Sequence, residues 1–407
     1  LFTSTTDSAR PGAADRGELA DRILAALLAI AIAVPAFMTG DYSMKPLFYT
    51  LVIVPTLAFV VTGRIALAQF RPYIRAILLL LVSLLFWSAS NLWSGDPDLF
   101  LAFLRRSLTL LVFVLGAIHV VGAARRAFLD YLDIALCLVG VGAAIIVVGL
   151  PFTEAPSESW RPGDGTVFNR ALHASHYFGF FATCAFVRFY QLSGSRALVC
   201  LISGGLCLLF VFATESRGTL VALGLVGLVI SLYWHRRYAH ALALLLLCGI
   251  GFVAMHEILL ERGLSYRQEI WAGAMDLARE HFWLGVGMGT DLGIPYGDDF
   301  TAPHAHNQLL DLLVKSGLFG LLLFLPWVGF ILWRVIAGRC EEQVFSAALL
   351  FFLLCGMSDV HKLINSPTTV YIVFWLPLAG LLVTHGAARQ HPEPVADSAG
   401  EPVGARH

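Results

Sequence analysis

The sequence predicts an all-α polytopic membrane protein with about twelve transmembrane helices and one large helical loop. Three observations carry this expectation. Of the 407 residues, 58% are hydrophobic and only 14% are charged, whereas soluble domains carry about 25% charged residues. Apolar runs of roughly 20 residues, enough to cross a hydrocarbon core of about 30 Å, recur along the chain. Lys and Arg are shared unevenly between the two sets of connections, as the positive-inside rule requires.

The runs fall near residues 22–39, 46–62, 75–92, 104–122, 128–149, 172–190, 197–213, 219–234, 239–255, 317–335, 343–360 and 368–386. The polar stretch before the first run is too acidic and too poor in apolar residues for a signal peptide, so that run is expected to be a retained anchor. An even number of spans puts both termini on one side. Sixteen of the 27 Lys and Arg fall on that side and eleven on the other, which predicts cytoplasmic termini. The cytoplasmic connections are short and basic, reading ARR, GRIALAQFRPYIR and HRRYAH. The long connections, 150–171 and 256–316, face outward, and function is expected there. The chain thus divides into nine spans (1–255), the large loop (256–316), three further spans (317–386) and a polar tail (387–407).

Composition also excludes functions. A net charge of −1 gives no basic field for nucleic acid. The seven cysteines lie in or beside apolar runs without metal-ligand spacing, which predicts core packing and no disulfides.

Within the large loop, SYRQEIWAGAMDLAREHF predicts an amphipathic helix that Ser265 caps, with Gln268 three places on. The glycine-rich LGVGMGTDLGIPYG (284–297) predicts a flexible turn. Asn307 to Lys315 predicts a second short helix leading into the tenth span, with Asn307 as its N-cap and Asp311 and Lys315 as an i,i+4 pair.

Four outer segments hold polar residues that packing does not require: RPGDGTVFNRALHASH (161–176), ESRG (215–218), the Arg267 helix and HAHN (304–307). Arg217 sits between two apolar runs near the membrane surface, where a guanidinium is costly unless it meets a partner. Either Glu215 or lipid phosphate pairs with it, or it clamps an anionic substrate with its fork of donors. Arg267 occupies the first turn of a helix, against the macrodipole. An anion held by that helix end would compensate, and so would pairing with Glu261 or Glu269. A histidine can serve as a general base at neutral pH, and entry to a helix holds His306 in place for that role. A metal alternative joins His173 and His176 to His304 and His306, with Asp298 and Asp299 as oxygen donors. Structural zinc sites usually draw on cysteine and the outer segments have none, so no metal or other cofactor is expected.

The ESRG motif, YRQEIWAGAMDLAREHFWLGVGMGT and HAHNQLLDLLVKSGLFG, in this order and topology, resemble the bacterial O-antigen ligase and O-antigen polymerase family, the ligases most closely. The most specific element is the His-Asn-x-x-Leu…Gly-x-x-Gly pattern at 306–320. GTVFNRALHASH is a weaker match, because it lacks the Asn-Pro-Asn run of the family. The resemblance implies a GT-C-like glycosyltransferase of the bacterial inner membrane with a periplasmic active site. Its donor would be a glycan on undecaprenyl diphosphate and its acceptor a sugar of lipid A-core, both among membrane lipids. Carried over, Arg217 and Arg267 bind the diphosphate and His306 is the catalytic histidine. His304, Asn307, Arg161, His173 and His176 are candidates for supporting roles.

Chemistry fits this division of labour. A sugar diphosphate has a good leaving group that needs charge neutralisation, whereas the acceptor hydroxyl needs a base. A single displacement would invert the anomeric centre, and no retaining pair of carboxylates is evident. An O-antigen polymerase or a protein O-oligosaccharyltransferase would use the same residues, and the late position of the large loop favours the ligase. A transporter would instead carry ionisable groups near the span centres, which are nearly free of charge.

Overall fold

The computed structural model describes residues 11–38, 43–149, 168, 171–254, 266–297, 299–359 and 362–390. Arg161, Ser265, Glu261 and Asp298 lie outside the described residues. Among the described residues each expected run overlaps helical backbone. The order begins with α1 (Pro11–Ala33), then α2 (Met44–Phe48) and α3 (Val54–Val61), joined by the π-helical turn Tyr49–Ile53. There follow α4 (Ile74–Ala89), α5 (Pro97–Ala123), α6 (Arg125–Gly149), α7 (Ala171–Gln191) and α8 (Gly194–Ala213). α9 (Arg217–Leu228) runs on through a π-helical turn to Trp234 and precedes α10 (Tyr238–Ala254).

The large loop holds α11 (Arg267–Glu280) and a hairpin of β1 (Ile294–Tyr296) and β2 (Phe300–Ala302). α12 (Gln308–Ala337), α13 (Gln343–Gly356) and α14 (Leu376–Gln390) complete the chain, with a π-helical turn, Tyr371–Trp375, ahead of α14. Eight helical runs among the described residues are long and apolar enough to cross a membrane by length and composition. The protein is therefore a multi-pass membrane protein, mainly helical among the described residues.

α7 and α13 form the centre of the bundle. α7 is buried on every side from Ala174 to Ala185, and α13 from Gln343 to Phe352. A helix enclosed by other helices has no lipid-facing stripe, so it can carry polar groups such as Ser175 and His176 without exposing them to hydrocarbon.

The loop is more firmly held than its glycines suggest. The segment 284–297, expected to be a flexible turn, is pinned to the 3-10 turn Ser90–Trp93 after α4. The Trp93 indole donates to the Gly285 carbonyl at 3.0 Å, the Met288 amide to Ser90 Oγ at 3.0 Å, and the Gly289 amide to Asn91 Oδ1 at 2.7 Å. The glycines serve close approach: a Cβ on Gly285 would strike the Lys315 carbonyl carbon.

The short helix and the tenth span are one helix, α12, broken at Gly317 (φ 65°, ψ −173°), a conformation open essentially to glycine alone. The break frees two carbonyls and two amides of the helix ladder, and residues 282–287 take up all four. The Val314 and Lys315 carbonyls accept from the Val286 and Gly287 amides at 3.0 and 2.8 Å. The Leu318 and Phe319 amides donate to Phe282 and Trp283 at 2.7 and 3.4 Å. Backbone polar groups near a membrane must be satisfied, and here a second strand of chain does it. The result is a rigid link between α11 and the histidine-bearing start of α12.

Candidate active site

Three helix N-termini carry the candidate residues, and each is preceded by unusual backbone. Arg217 is the first residue of α9, Arg267 the first of α11, and His306 stands one residue before Asn307, the N-cap of α12. Among the described residues four non-glycine positions have positive φ: Glu215 (54°), Arg236 (51°), Tyr266 (58°) and His306 (48°). Three of these four introduce the three candidates. Left-handed backbone at a side-chain-bearing residue costs about 1 kcal/mol or more and recurs at functional sites.

Two anchors hold His306 in this conformation. Asn307 Oδ1 accepts from the Leu309 and Leu310 amides, both at 3.1 Å, and its Nδ2 donates to the Met357 carbonyl at 3.2 Å. The cap expected at Asn307 is thus present, and it also ties the loop to the turn after α13. On the other side, Asp311 Oδ1 accepts from the Ala305 amide at 3.1 Å, while its Oδ2 pairs with Lys315 at 3.2 Å. The expected Asp311–Lys315 pair exists, but both side chains are buried, and the carboxylate fixes the backbone between His304 and His306.

The segment 357–359 collects the rest of the site. Asp359 is buried, with Oδ1 3.6 Å from His306 Nδ1 and Oδ2 3.9 Å from His176 Nδ1. Both are longer than hydrogen bonds, a spacing common at sites whose contacts tighten when substrate arrives. Next to it, no side chain fits at Gly218 without meeting the Ser358 hydroxyl, so the first turn of α9, with Arg217, abuts the same segment. A polar thread joins that turn to α7: Ser216 Oγ meets Thr219 Oγ1 at 2.8 Å, and Thr219 meets Ser175 Oγ at 2.8 Å.

His304 differs from its neighbour. Its ring lies 4.2 Å from that of His306, centroid to centroid, and its Nδ1 is buried without a hydrogen-bond partner among the described residues. Burial, and then the proximity of His306, hold its pKa down to about 4, so it is neutral at pH 7. His306 is 28% exposed.

Arg267 belongs to the α11 and hairpin unit. Ile270 and Ala274 of α11 share a small core with Ile294, Ala302, Ala305 and Val314, so the residue between the two histidines packs into the helix system that carries Arg267. Arg267 Nε is buried without an acceptor among the described residues. Glu269, one of its expected partners, instead accepts from the Gly297 amide at 2.9 Å. The Ser265 cap lies outside the described residues. The helix starts on the left-handed Tyr266, whose side chain makes no cap.

The structure therefore brings together His304, His306, Asn307, His176 and the start of α9, with Arg267 at the head of α11. His173 is half-buried on the first turn of α7. Asp359 was missed by sequence reasoning, although an acid at the outer end of an apolar span is itself a signal. The residues also differ from the metal grouping considered from sequence. His304, His306 and Asp359 offer ligand atoms within 4.8 Å of one another. Two imidazoles and a carboxylate suit a divalent transition ion.

Comparison with known proteins completes the description. Residues 202–325 match the family profile described as O-Antigen ligase, and this stretch contains Arg217, Arg267, His304, His306 and Asn307. The chain is also 28% identical over 360 residues to a protein named O-antigen ligase from Pseudomonas aeruginosa, covering 86% of this chain and 88% of that one. Both findings show the resemblance to the O-antigen ligase family read from the motifs.

Proposed function

We propose that the protein is a membrane glycosyltransferase of the O-antigen ligase type. It would move O-antigen polysaccharide from undecaprenyl diphosphate to a sugar hydroxyl of lipid A-core, on the periplasmic face of the inner membrane, in lipopolysaccharide assembly. The observation that carries this reading is the strained, doubly anchored His306. It faces a buried carboxylate, Asp359, in a segment that also packs against the first turn of Arg217.

In this mechanism the Arg217 and Arg267 guanidiniums, each at a helix N-terminus, neutralise the diphosphate as it departs. The acceptor hydroxyl oxygen attacks the anomeric carbon, the bond from that carbon to the diphosphate oxygen breaks, and His306 takes the hydroxyl proton. Asp359 orients the imidazole and stabilises its charge after the proton arrives. Displacement in one step inverts the anomeric centre. The arginines supply the neutralising charge, so no metal is required. If His304, His306 and Asp359 held an ion, it would supply Lewis-acid assistance to the acceptor hydroxyl.

The lipid tail also has somewhere to go. An apolar cavity of about 450 Å³ lies among α7, α8, α9 and α10, lined by Thr183, Gly204, Gly205, Leu223, Gly227 and Leu244. Leu223 is six residues along α9 from Arg217, roughly 9 Å at the rise of a helix. A polyisoprenoid whose diphosphate rests at Arg217 would thus reach an apolar recess with part of its tail.

The test is incubation of the purified protein with undecaprenyl-diphosphate glycan, with and without lipid A-core. Glycan appearing on lipid A-core is the expected result. Lengthened donor with unmodified lipid A-core would assign a polymerase instead, and activity lost to chelation and restored by zinc or magnesium would assign a metal role.

A further inference from the structure

Beside Arg267 three aromatic rings form a row, Tyr266 and Phe300 exposed and Tyr296 half-buried against the small core. The hairpin pairs Ile294 with Ala302 and Tyr296 with Phe300. Side chains alternate along a strand, so these four share one face. The inner rung, Ile294 and Ala302, is buried against α11. The outer rung overhangs the start of that helix, where Tyr266 meets it. Tyr296 and Phe300 are stacked, with centroids 5.7 Å apart and planes at 23°, and Tyr266 lies 5.6 Å from Tyr296. Phe300 is 64% and Tyr266 55% exposed. The glutamate bond to Gly297 fixes the hairpin tip to α11, so the row of rings is rigid.

Contiguous exposed rings mark a binding surface, and their surroundings say for what. Elsewhere on the loop, Trp283 packs against Phe319 of α12 at 5.8 Å, and the exposed Leu322 and Leu325 continue that surface along the helix. That patch is an extension of the lipid-facing wall. The Tyr266, Tyr296 and Phe300 row is instead bordered by exposed Gln268, Glu269, Asp299 and Thr301. Carboxylates repel anionic headgroups but accept hydrogen bonds from hydroxyls. Pyranose rings present apolar C–H faces and hydroxyl edges, which match aromatic faces rimmed by acids and amides.

We infer that Tyr266, Tyr296 and Phe300 form a stacking platform for the sugar rings of the donor glycan nearest its diphosphate. The inference rests on the glycosyltransferase reading and names a subsite within it. The donor is favoured over the acceptor because Tyr266 immediately precedes Arg267, the proposed diphosphate ligand. Sugars linked to a diphosphate at that helix start emerge beside the rings.

The experiment uses the full chain in lipid nanodiscs. Two probes are titrated separately: O-glycan oligosaccharide and polymer-free core oligosaccharide, both released by mild acid from the lipopolysaccharide of the host cell. Wild type is expected to bind the O-glycan probe, with ring-to-sugar saturation transfer in NMR. Phe300→Ala and Tyr296→Ala should each weaken binding by about tenfold, the size of one aromatic stacking contact. Phe300→Trp should restore it, and Trp283→Ala, on the lipid-facing patch, should leave it unchanged. Binding of the O-glycan probe by both alanine variants at wild-type strength would overturn the inference, and so would binding of core oligosaccharide alone. Intact glycan binding with no transfer to lipid A-core would be a failure of the proposed reaction and not of the platform.

Discussion

The two ends of the helical bundle treat buried charge differently. At the end away from the large loop, Arg188 of α7 meets Asp133 of α6 through two hydrogen bonds of 2.7 Å. There also Arg334 Nε donates to Glu342 at 2.6 Å, with both side chains almost wholly buried, and His119 bridges Gln69 at 3.1 Å and Asp21 at 3.2 Å. At the loop-bearing end His306 and His176 stand 3.6 and 3.9 Å from Asp359, and His304 and Arg267 bury nitrogens that lack hydrogen-bond partners among the described residues. Three of the four left-handed non-glycine residues are there too. The far end closes its charges into short contacts that hold the helices together; the loop-bearing end pairs Asp311 with Lys315 at 3.2 Å but sets His306 and His176 at longer range from Asp359.

The contrast is broken most severely by substitutions at the loop-bearing end. His306→Ala should lower transfer at least about 100-fold, the usual contribution of a general base, and Arg217→Ala and Arg267→Ala should abolish it, with each protein still folded and inserted. A radiolabelled-glycan transfer assay alongside a detergent melting curve checks both halves of this expectation.

Opposite behaviour is expected of Arg334→Ala. Removing one partner of a buried pair strands the other charge at a cost of about 3–5 kcal/mol. The melting temperature should therefore fall sharply, while the folded fraction keeps its specific activity. Asp359→Asn sharpens the comparison from the other side. It should reduce kcat and leave the donor KM little changed, because this carboxylate acts on the reaction through His306.

These effects also mark what the sequence could reveal. Apolar runs announced the spans, since the hydrophobic length of a membrane is a local demand. Asn307 announced a cap for the same reason. The burial of Asp311 and Lys315 was not legible, because i,i+4 spacing says nothing of what covers the pair. Asp359 and His176 meet His306 only through the packing of α7 and α13, which spacing along the chain does not encode. The replacement of two helical backbone bonds at Gly317 by four to another segment depends on residues some thirty positions earlier, and the glycine spacing showed only that something approaches closely.

The smallest predicted effect concerns pH. Burial lowers the pKa of His304 to about 4 from an unfolded value near 6.5. Protonation therefore favours the unfolded chain: the stabilisation from keeping His304 neutral is complete above pH 6.5 and is lost as pH falls toward 4. His304→Gln should flatten the dependence of melting temperature on pH across this window, and an unchanged slope would place the acid sensitivity elsewhere.

The central claim, that the loop-bearing end keeps backbone strain for chemistry at His306, is tested most directly by His306→Gly. Glycine adopts the left-handed backbone without steric cost, so the variant loses the imidazole and relieves the strain together. Transfer to lipid A-core and the melting temperature are measured on the same purified sample. The account predicts transfer reduced at least about 100-fold with a melting temperature at or above that of wild type. Transfer near the wild-type rate would contradict it.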